Sequence, residues 1–415
     1  MIRHFDLLYI QQGLSRLTTS QRLNLFPTVI RGLGTNYQQS VQHAAILFNL
    51  ILKLLHTIDL PPRGSDKDSA LREEVGLHHD PEDAAFLAQW FGKFLLYTIS
   101  KPDGKRCFGL TEDDCKFLEL FGKSDTWNSS SLTETKVLVV KFVASGAFHD
   151  SERFFPALYA SADPNSRIHE TANDMLKRAA AAVSLEDTEI VRKIFNLYLG
   201  GEGSHGPLPA RTTLQIKLLG YLCRSKVAAD FTKECLEVVQ QGLASNQQPD
   251  TLNGASKKQK GLEASKFRGQ VFAFTNWLAR ISPAPAMKKF APAMIGYIRN
   301  YVDDQGWPRP RTEQTLDAAE LNSRSYGYES IGLLAAACAE QLLLEPNIEL
   351  LRWLMTSLSE DSSGQEVSLS IEHALSSTIR AFGGGLKTDV EQSLASLFLH
   401  HMDLSPDSHD DERYV

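Results

Sequence analysis

Residues 151–183 read SERFFPALYASADPNSRIHETANDMLKRAAAAV. Apolar and aromatic residues crowd the first dozen positions. The polar break DPNS follows, and near residue 166 a second helical run begins, RIHETANDMLKRAAAAV. The stretch is therefore a helical hairpin. Alone it cannot bury its apolar face, but stacked on similar hairpins it can. The fold turns on whether the pattern recurs.

It recurs to the end of the chain. EDTEIVRKIFNLYLG leads through GEGSHGPLP into ARTTLQIKLLGYLCRS, and VAADFTKECLEVVQQGL leads through a polar loop at 244–261 into EASKFRGQVFAFTNWLARI. AMKKFAPAMIGYIRNYV leads through DDQGWPRPRT into SRSYGYESIGLLAAACAEQLLL, and NIELLRWLMTSL leads through SEDSSGQ into 366–382. The second members begin near 166, 211, 265, 322 and 366. Those intervals centre on the ~40–47 residues of a two-helix HEAT-type repeat plus insertions. Val367, Ile371, Leu375, Ile379 and Phe382 form one helical face, as do Val41, Ala45, Phe48, Leu52 and Leu55 nearer the start. Asp163 and Asp361 precede second helices, where a short acceptor can satisfy free N–H groups. Ala172 and Ala374 are small enough to let neighbouring helices approach. The best strand candidate, KVLVVKFV at 136–143, lies inside a longer helical run from Leu132. The expected fold is all-α, an α-solenoid of HEAT-like hairpins stacking with a right-handed twist. Residues 1–149 form irregular N-terminal helical repeats with polar insertions at 59–80 and 101–131. Residues 150–403 form the HEAT-like repeats, and 404–415 a solvated tail.

The chain has 415 residues, 43 basic against 50 acidic, for a net charge of −7. That balance argues against general binding to nucleic acid or acidic membranes. Five cysteines, at 107, 115, 223, 235 and 338, show no CxxC pairing and fit a reducing compartment. Charge and glutamine interrupt the start, MIRHFDLLYIQQGL, too early for a signal peptide. No stretch reaches the ~18 apolar residues of a membrane span. The expected location is cytosolic or nuclear.

Several short motifs resemble active sites. In GLHHDPEDAAFL, 76–87, adjacent His78 and His79 cannot readily share one metal. Asp80 as N-cap, Pro81 at the first helical position, and Glu82 and Asp83 in the first turn explain the stretch as a helix start. GEGSHG at 201–206 matches the dinucleotide-binding glycine pattern, but that motif works between a strand and a helix. Here it follows helical spacing and precedes Pro207 and Pro209. GKS at 122–124 has Phe117 where a phosphate loop needs glycine. GGG at 383–385 ends a helix. IHETANDM lacks a second histidine four residues after His169, and no nucleophile motif occurs. SKKQK, 256–260, reads as a basic cluster in a solvated loop, and WPRPRT, 307–312, as a stiff connection that a partner could also read. His43, His56 and His373 lie on helices without co-ligands. No catalytic, cofactor-binding or metal-ligating residue is assigned, and no small-molecule substrate is expected.

Longer stretches carry a resemblance. RLTTSQRLNLFPTVIRGL (16–33), HAAILFNLILKLL (43–55), LPPRGS (60–65) and DPEDAAFLAQWFGKFLLY (80–97) are followed in order by GLTEDDCKFLELFGKSDTW (109–127), 132–179 and PARTTLQIKLLGYLCRSK (209–226). Together they resemble the N-terminal region of the proteasome stabiliser family, long HEAT-repeat adaptors, in a fungal-like form. The likeness runs from about residue 5 to 400 and is strongest over 109–226. It implies a non-enzymatic scaffold that binds the proteasome, tethers its regulatory particle to its core particle, and acts in assembly and quality control. It assigns no contact residues and no cofactor. Family members carry further helices at both ends, so the chain is expected to be a fragment whose first helix, within 5–33, is marginal. The runner-up is a HEAT-repeat transport or trafficking adaptor. A third reading, from another class, is a nucleotide-binding enzyme using the 201–206 loop.

Overall fold

The structure is a computed structural model that describes residues 16–99, 129–199, 212–244, 257–282, 284–304, 317–342 and 349–383, with isolated positions at 13, 391, 392, 395, 396 and 399. Every regular element among them is helical. The chain divides into two compact units, one of residues 1–184 with 196–217 and one of 185–195 with 218–415.

In the first unit α1 (Thr19–Leu23), α2 (Phe26–Gln39), α3 (Val41–Leu55), α4 (Asp66–Glu74), α5 (Pro81–Ile99), α6 (Ser129–Val143), α7 (Phe154–Ala160) and α8 (Ser166–Ala182) follow in order. Thr18 opens α1 with a capping box, its hydroxyl accepting from Gln21 N–H while the Gln21 side chain accepts from Thr18 N–H. The helices pair as α2 with α3, α5 with α6 and α7 with α8. The second members α3, α6 and α8 lie side by side, and so do α2, α5 and α7. Ala45, Phe48, Leu52 and Leu55 are buried, as their spacing predicts. Phe48 meets Trp90, Phe91 and Phe94 at centroid distances of 5.9–6.2 Å. Phe91 passes the contact on to Phe142 and Phe148, which meet edge to face at 5.4 Å.

The strand candidate 136–143 is the C-terminal half of α6. Val137, Val139, Val140, Phe142 and Val143 are all buried, so the run is apolar because α6 packs on several sides. The few tenths of a kcal/mol that each β-branched residue costs a helix are small beside that burial.

Within the second unit lie α11 (Thr232–Leu243), α12 (Lys257–Ile281), α13 (Ala284–Asp304), α14 (Ala318–Ala337), the short α15 (Ala339–Leu342), α16 (Glu349–Glu360) and α17 (Gln365–Phe382). The division between units falls inside α9 (Thr188–Leu199) and α10 (Thr212–Leu222). Here α11 pairs with α12, α13 with α14 and α16 with α17, while α12, α14 and α17 make the most extensive helix–helix layer. Each unit is thus built from neighbouring helical hairpins with like members aligned, the α-solenoid arrangement. Second members begin at 166, 212, 257, 318 and 365. The 257 start places Lys257–Lys260 in the first turn of α12 and not in the polar loop that composition suggests. On α17, Val367, Ile371, Leu375 and Phe382 are buried, and Ile379 is half-buried.

The two aspartates before second helices act differently from simple caps. The N-cap of α8 is Asn165, which accepts from Arg167 N–H at 3.1 Å, and that of α17 is Gly364, with no side-chain bond. Asp163 and Asp361 stand two and three residues too early to reach the helix. Each instead accepts from the turn, at Asn165 N–H (2.9 Å) and Ser363 N–H (2.8 Å). The remaining carboxylate oxygen faces a buried cation. Asp163 pairs with Lys136 on α6 at 2.9 Å, and Asp361 with Arg324 on α14 at 3.7 Å.

A Cβ on Gly332 of α14 would lie 2.6 Å from the Cα of Ala374 on α17, so the two backbones touch where both residues are small. Gly332→Ala is expected to force the helices apart and cost about 1–3 kcal/mol. Gly296→Ala, inside α13 with nothing within 4 Å of the added carbon, is expected to stabilise by about 0.4–1 kcal/mol. Urea unfolding of both variants reads the contrast. Lys136→Met leaves the buried Asp163 without its cation and should cost about 3–5 kcal/mol. The Lys136→Met/Asp163→Asn double variant, which keeps the turn acceptor, should lose less than Lys136→Met alone.

Candidate functional site

In the first unit two loops distant in sequence are locked together by polar groups. The turn before α4 reverses at Gly64, whose φ of +76° favours glycine. Ser65 then caps α4 by accepting from Asp68 N–H at 3.2 Å. The buried Asp68 carboxylate accepts from Gly64 N–H at 2.9 Å and from Gly146 N–H at 2.8 Å. Gly146, in the turn after α6, has no room for a side chain, because a Cβ would stand 1.8 Å from the Asp68 carbonyl oxygen.

Arginines close the lock from both sides. Arg72 on α4 donates to both carboxylate oxygens of Glu152, at 2.9 and 3.1 Å, and to the Ala147 carbonyl at 3.1 Å. Arg153 donates to Asp150 at 2.5 Å, to the Ser145 carbonyl at 2.7 Å and to that of Phe148. Burial pushes the Arg153 guanidinium below its ordinary value. Asp150 opposes that push and the nearby Arg63 adds to it.

Beside this lock, on the α6 side, lies a cleft of about 390 Å³, open to solvent on one side. Its apolar wall includes Ile58, Leu60, Pro61 and Leu138. Its polar groups include Arg63 from the turn and Lys141, three residues after Leu138 on the same face of α6. Both cations are exposed.

The histidine pair resolves as a helix start. Asp80 accepts from Glu82 N–H at 2.9 Å, Pro81 opens α5, and Glu82 and Asp83 occupy its first turn. The His78 and His79 ring centroids lie 3.7 Å apart with the planes tilted by 43°. Burial raises the Asp83 carboxyl, Asp80 adds to the rise, and Arg31 at 3.7 Å works against it. Among the described residues no group of three His, Cys, Asp or Glu is placed to hold a metal ion. His56 bonds the Thr135 hydroxyl at 2.8 Å, and His373 is exposed. Burial pushes the Cys223 thiol up to about 12, and that of Cys235 higher still. Gly383 ends α17 at φ +53°. No described helix is long and apolar enough to cross a membrane. The motifs at 122–124, 201–206 and 307–312, the positions 384–385, Cys107, Cys115 and the tail lie outside the described residues.

Motif reading missed Asp68, Gly146, Arg153, Arg63 and Lys141, because no known spacing links 63–72 with 141–153. A signal was nonetheless there. LPPRGSDKD and SGAFHDSER are dense in polar residues and glycine that no apolar helix face requires.

The chain resembles known proteins over nearly its whole length. It is 26% identical over 401 residues to "Proteasome component ECM29" of Saccharomyces cerevisiae, covering 90% of this chain and 20% of that protein. It is 20% identical over 434 residues to "Proteasome adapter and scaffold protein ECM29" of Homo sapiens, covering 96% of this chain and 22% of that protein. With "Proteasome-associated protein ECM29 homolog" of Drosophila melanogaster it shares 22% identity over 54% of the chain. The chain spans about a fifth of the length of the yeast and human relatives. No solved structure matches it. The family model "Proteasome component ECM29, N-terminal" matches residues 1–415 throughout, and the chain belongs to that family.

Proposed function

We propose that this chain is part of a non-enzymatic adaptor that associates with the proteasome, holds its regulatory particle to its core particle, and takes part in assembly and quality control in cytoplasm and nucleus. The observation that carries the reading is the family match across residues 1–415, together with relatives named as proteasome component, adapter and scaffold. The architecture agrees with it. Stacked hairpins use their apolar faces on one another and leave helix faces and inter-helix turns exposed to hold a partner. Burial raises the thiols of Cys223 and Cys235, and the polar network of the first unit is engaged with itself.

The test compares the tagged full-length protein with a version lacking residues 1–415. Native purification of the former is expected to bring down both core-particle and regulatory-particle subunits. Recovery of a nuclear carrier's GTPase or of vesicle-coat proteins in place of proteasome subunits would favour the transport adaptor. For the enzyme reading, millimolar ATP or NAD is expected to leave the melting temperature of the 415-residue chain unchanged. A nucleotide-dependent rise abolished by Gly203→Ala would establish that reading instead.

A further inference from the structure

The cleft beside the polar lock has donors that no described residue receives. Ser145 in its wall donates inward to the Phe142 carbonyl at 2.6 Å, and Thr171 to the Arg167 carbonyl at 3.1 Å. Asp68, also in the wall, has both carboxylate oxygens bonded to backbone N–H groups. What remains to face a visitor is Arg63 and Lys141, neither in a hydrogen bond or ion pair with a described residue, and the single exposed carboxylate of Asp59. Behind the wall stands Arg153, bonded to the Ser145 carbonyl and paired with Asp150. Among the exposed lining groups two cations stand against one carboxylate, on a chain whose net charge is −7.

Two features define what fits. The free donors call for an acceptor that carries negative charge, and Arg63 can meet a carboxylate with two parallel bonds. The wall of Ile58, Leu60, Pro61 and Leu138 calls for an apolar side chain next to that charge. A volume of about 390 Å³ suits a few side chains, and the open side suits a chain that enters and leaves, not a molecule enclosed on all sides. We propose that this cleft docks a short acidic peptide segment of a partner protein, with an apolar side chain against the Ile58–Leu138 wall and a neighbouring carboxylate between Arg63 and Lys141. The chain's net charge of −7 disfavours such a segment in general, and the two exposed cations make this position the exception. The site does not depend on the proteasome reading, and its test uses no proteasome.

The probes are fluorescein-labelled hexapeptides in which leucine, isoleucine or phenylalanine is flanked by glutamates, with counterparts carrying glutamine or lysine in place of glutamate and others carrying serine in place of the apolar residue. The 415-residue chain is titrated into each and followed by anisotropy. Glutamate peptides with an apolar residue are expected to bind, their glutamine and serine counterparts about tenfold more weakly and the lysine ones not at all. The Arg63→Ala/Lys141→Ala variant should weaken the glutamate peptides about tenfold with an unchanged melting temperature, since both side chains are exposed. Lys177→Ala, on an exposed face of α8, should bind as the parent does. No binding by any glutamate peptide overturns the proposal, as does equal binding by the glutamine set or undiminished binding by the double variant. Displacement by inorganic phosphate at the concentration of unlabelled peptide overturns it too, in favour of a site for a free anion.

Discussion

The structure depends on a carboxylate buried in the turn between two helices and paired with a cation from the hairpin before it. Stacked hairpins must bring their inter-helix turns close to the core, and there each unpaired backbone N–H carries the full cost of lost water. Asp163 meets that cost for its own turn, and Asp361 does so for its turn 198 residues later. A carboxylate carrying a charge into that environment needs a partner in turn, and Lys136 and Arg324 supply it from α6 and α14. The pair adds little net stability once desolvation is counted. Its effect is positional. A side chain rooted in one hairpin ends on the turn of the next, which fixes the register between them where apolar contact alone would let them slide.

The apolar layers follow two packing solutions, one in each unit. Around Phe48, Trp90, Phe91, Phe142 and Phe148 the first unit fills its interior with rings meeting at angles, which sets helix spacing by ring size. In the second, α14 and α17 meet at Gly332 and Ala374 with backbone against backbone. Close approach brings more of each helix into contact, and polar residues then bridge the layer, as where Ser330 of α14 donates to Asn276 of α12 at 2.5 Å. Large residues hold helices at a distance and small ones let them touch. Both require the turn to be anchored, because neither resists rotation of a hairpin about its own axis.

Much of this was legible in the sequence. The apolar period of 41–55 and 366–382 and the polar breaks between helices determined the hairpins, and Asp80-Pro81-Glu82 marked a helix start. What escaped notice has a common cause. Val137 to Val143 resemble a strand because a helix packed on several sides loses its polar face, and with it the only local sign of its period. Asp163 and Asp361 look like caps because the same short acceptor serves a turn or a helix, and an offset of two or three residues decides which. Lys257–Lys260 look like loop because surface helix turns and solvated loops share a composition. The cleft was invisible for a different reason: Arg63 and Lys141 are 78 positions apart, and only the fold brings them to one wall.

The stretches whose wording resembles the family are informative in this light. LPPRGS and the run through SGAFHDSER are not the amphipathic faces that any stacked-helix protein must have. They contain Gly64, Ser65, Gly146, Asp150, Glu152 and Arg153, the groups that tie two turns into one rigid polar body beside the cleft. A helix face accepts many apolar residues of similar size. A turn held by Asp68 with a Cβ-sized gap of zero at Gly146 accepts almost no alternative. Turns of this kind therefore admit few residues, where a helix face admits many. The turns are also what the stack leaves at its edge, within reach of another molecule. Rigidity and accessibility coincide there, so a partner surface formed by these turns is already ordered before contact and loses little conformational freedom on binding.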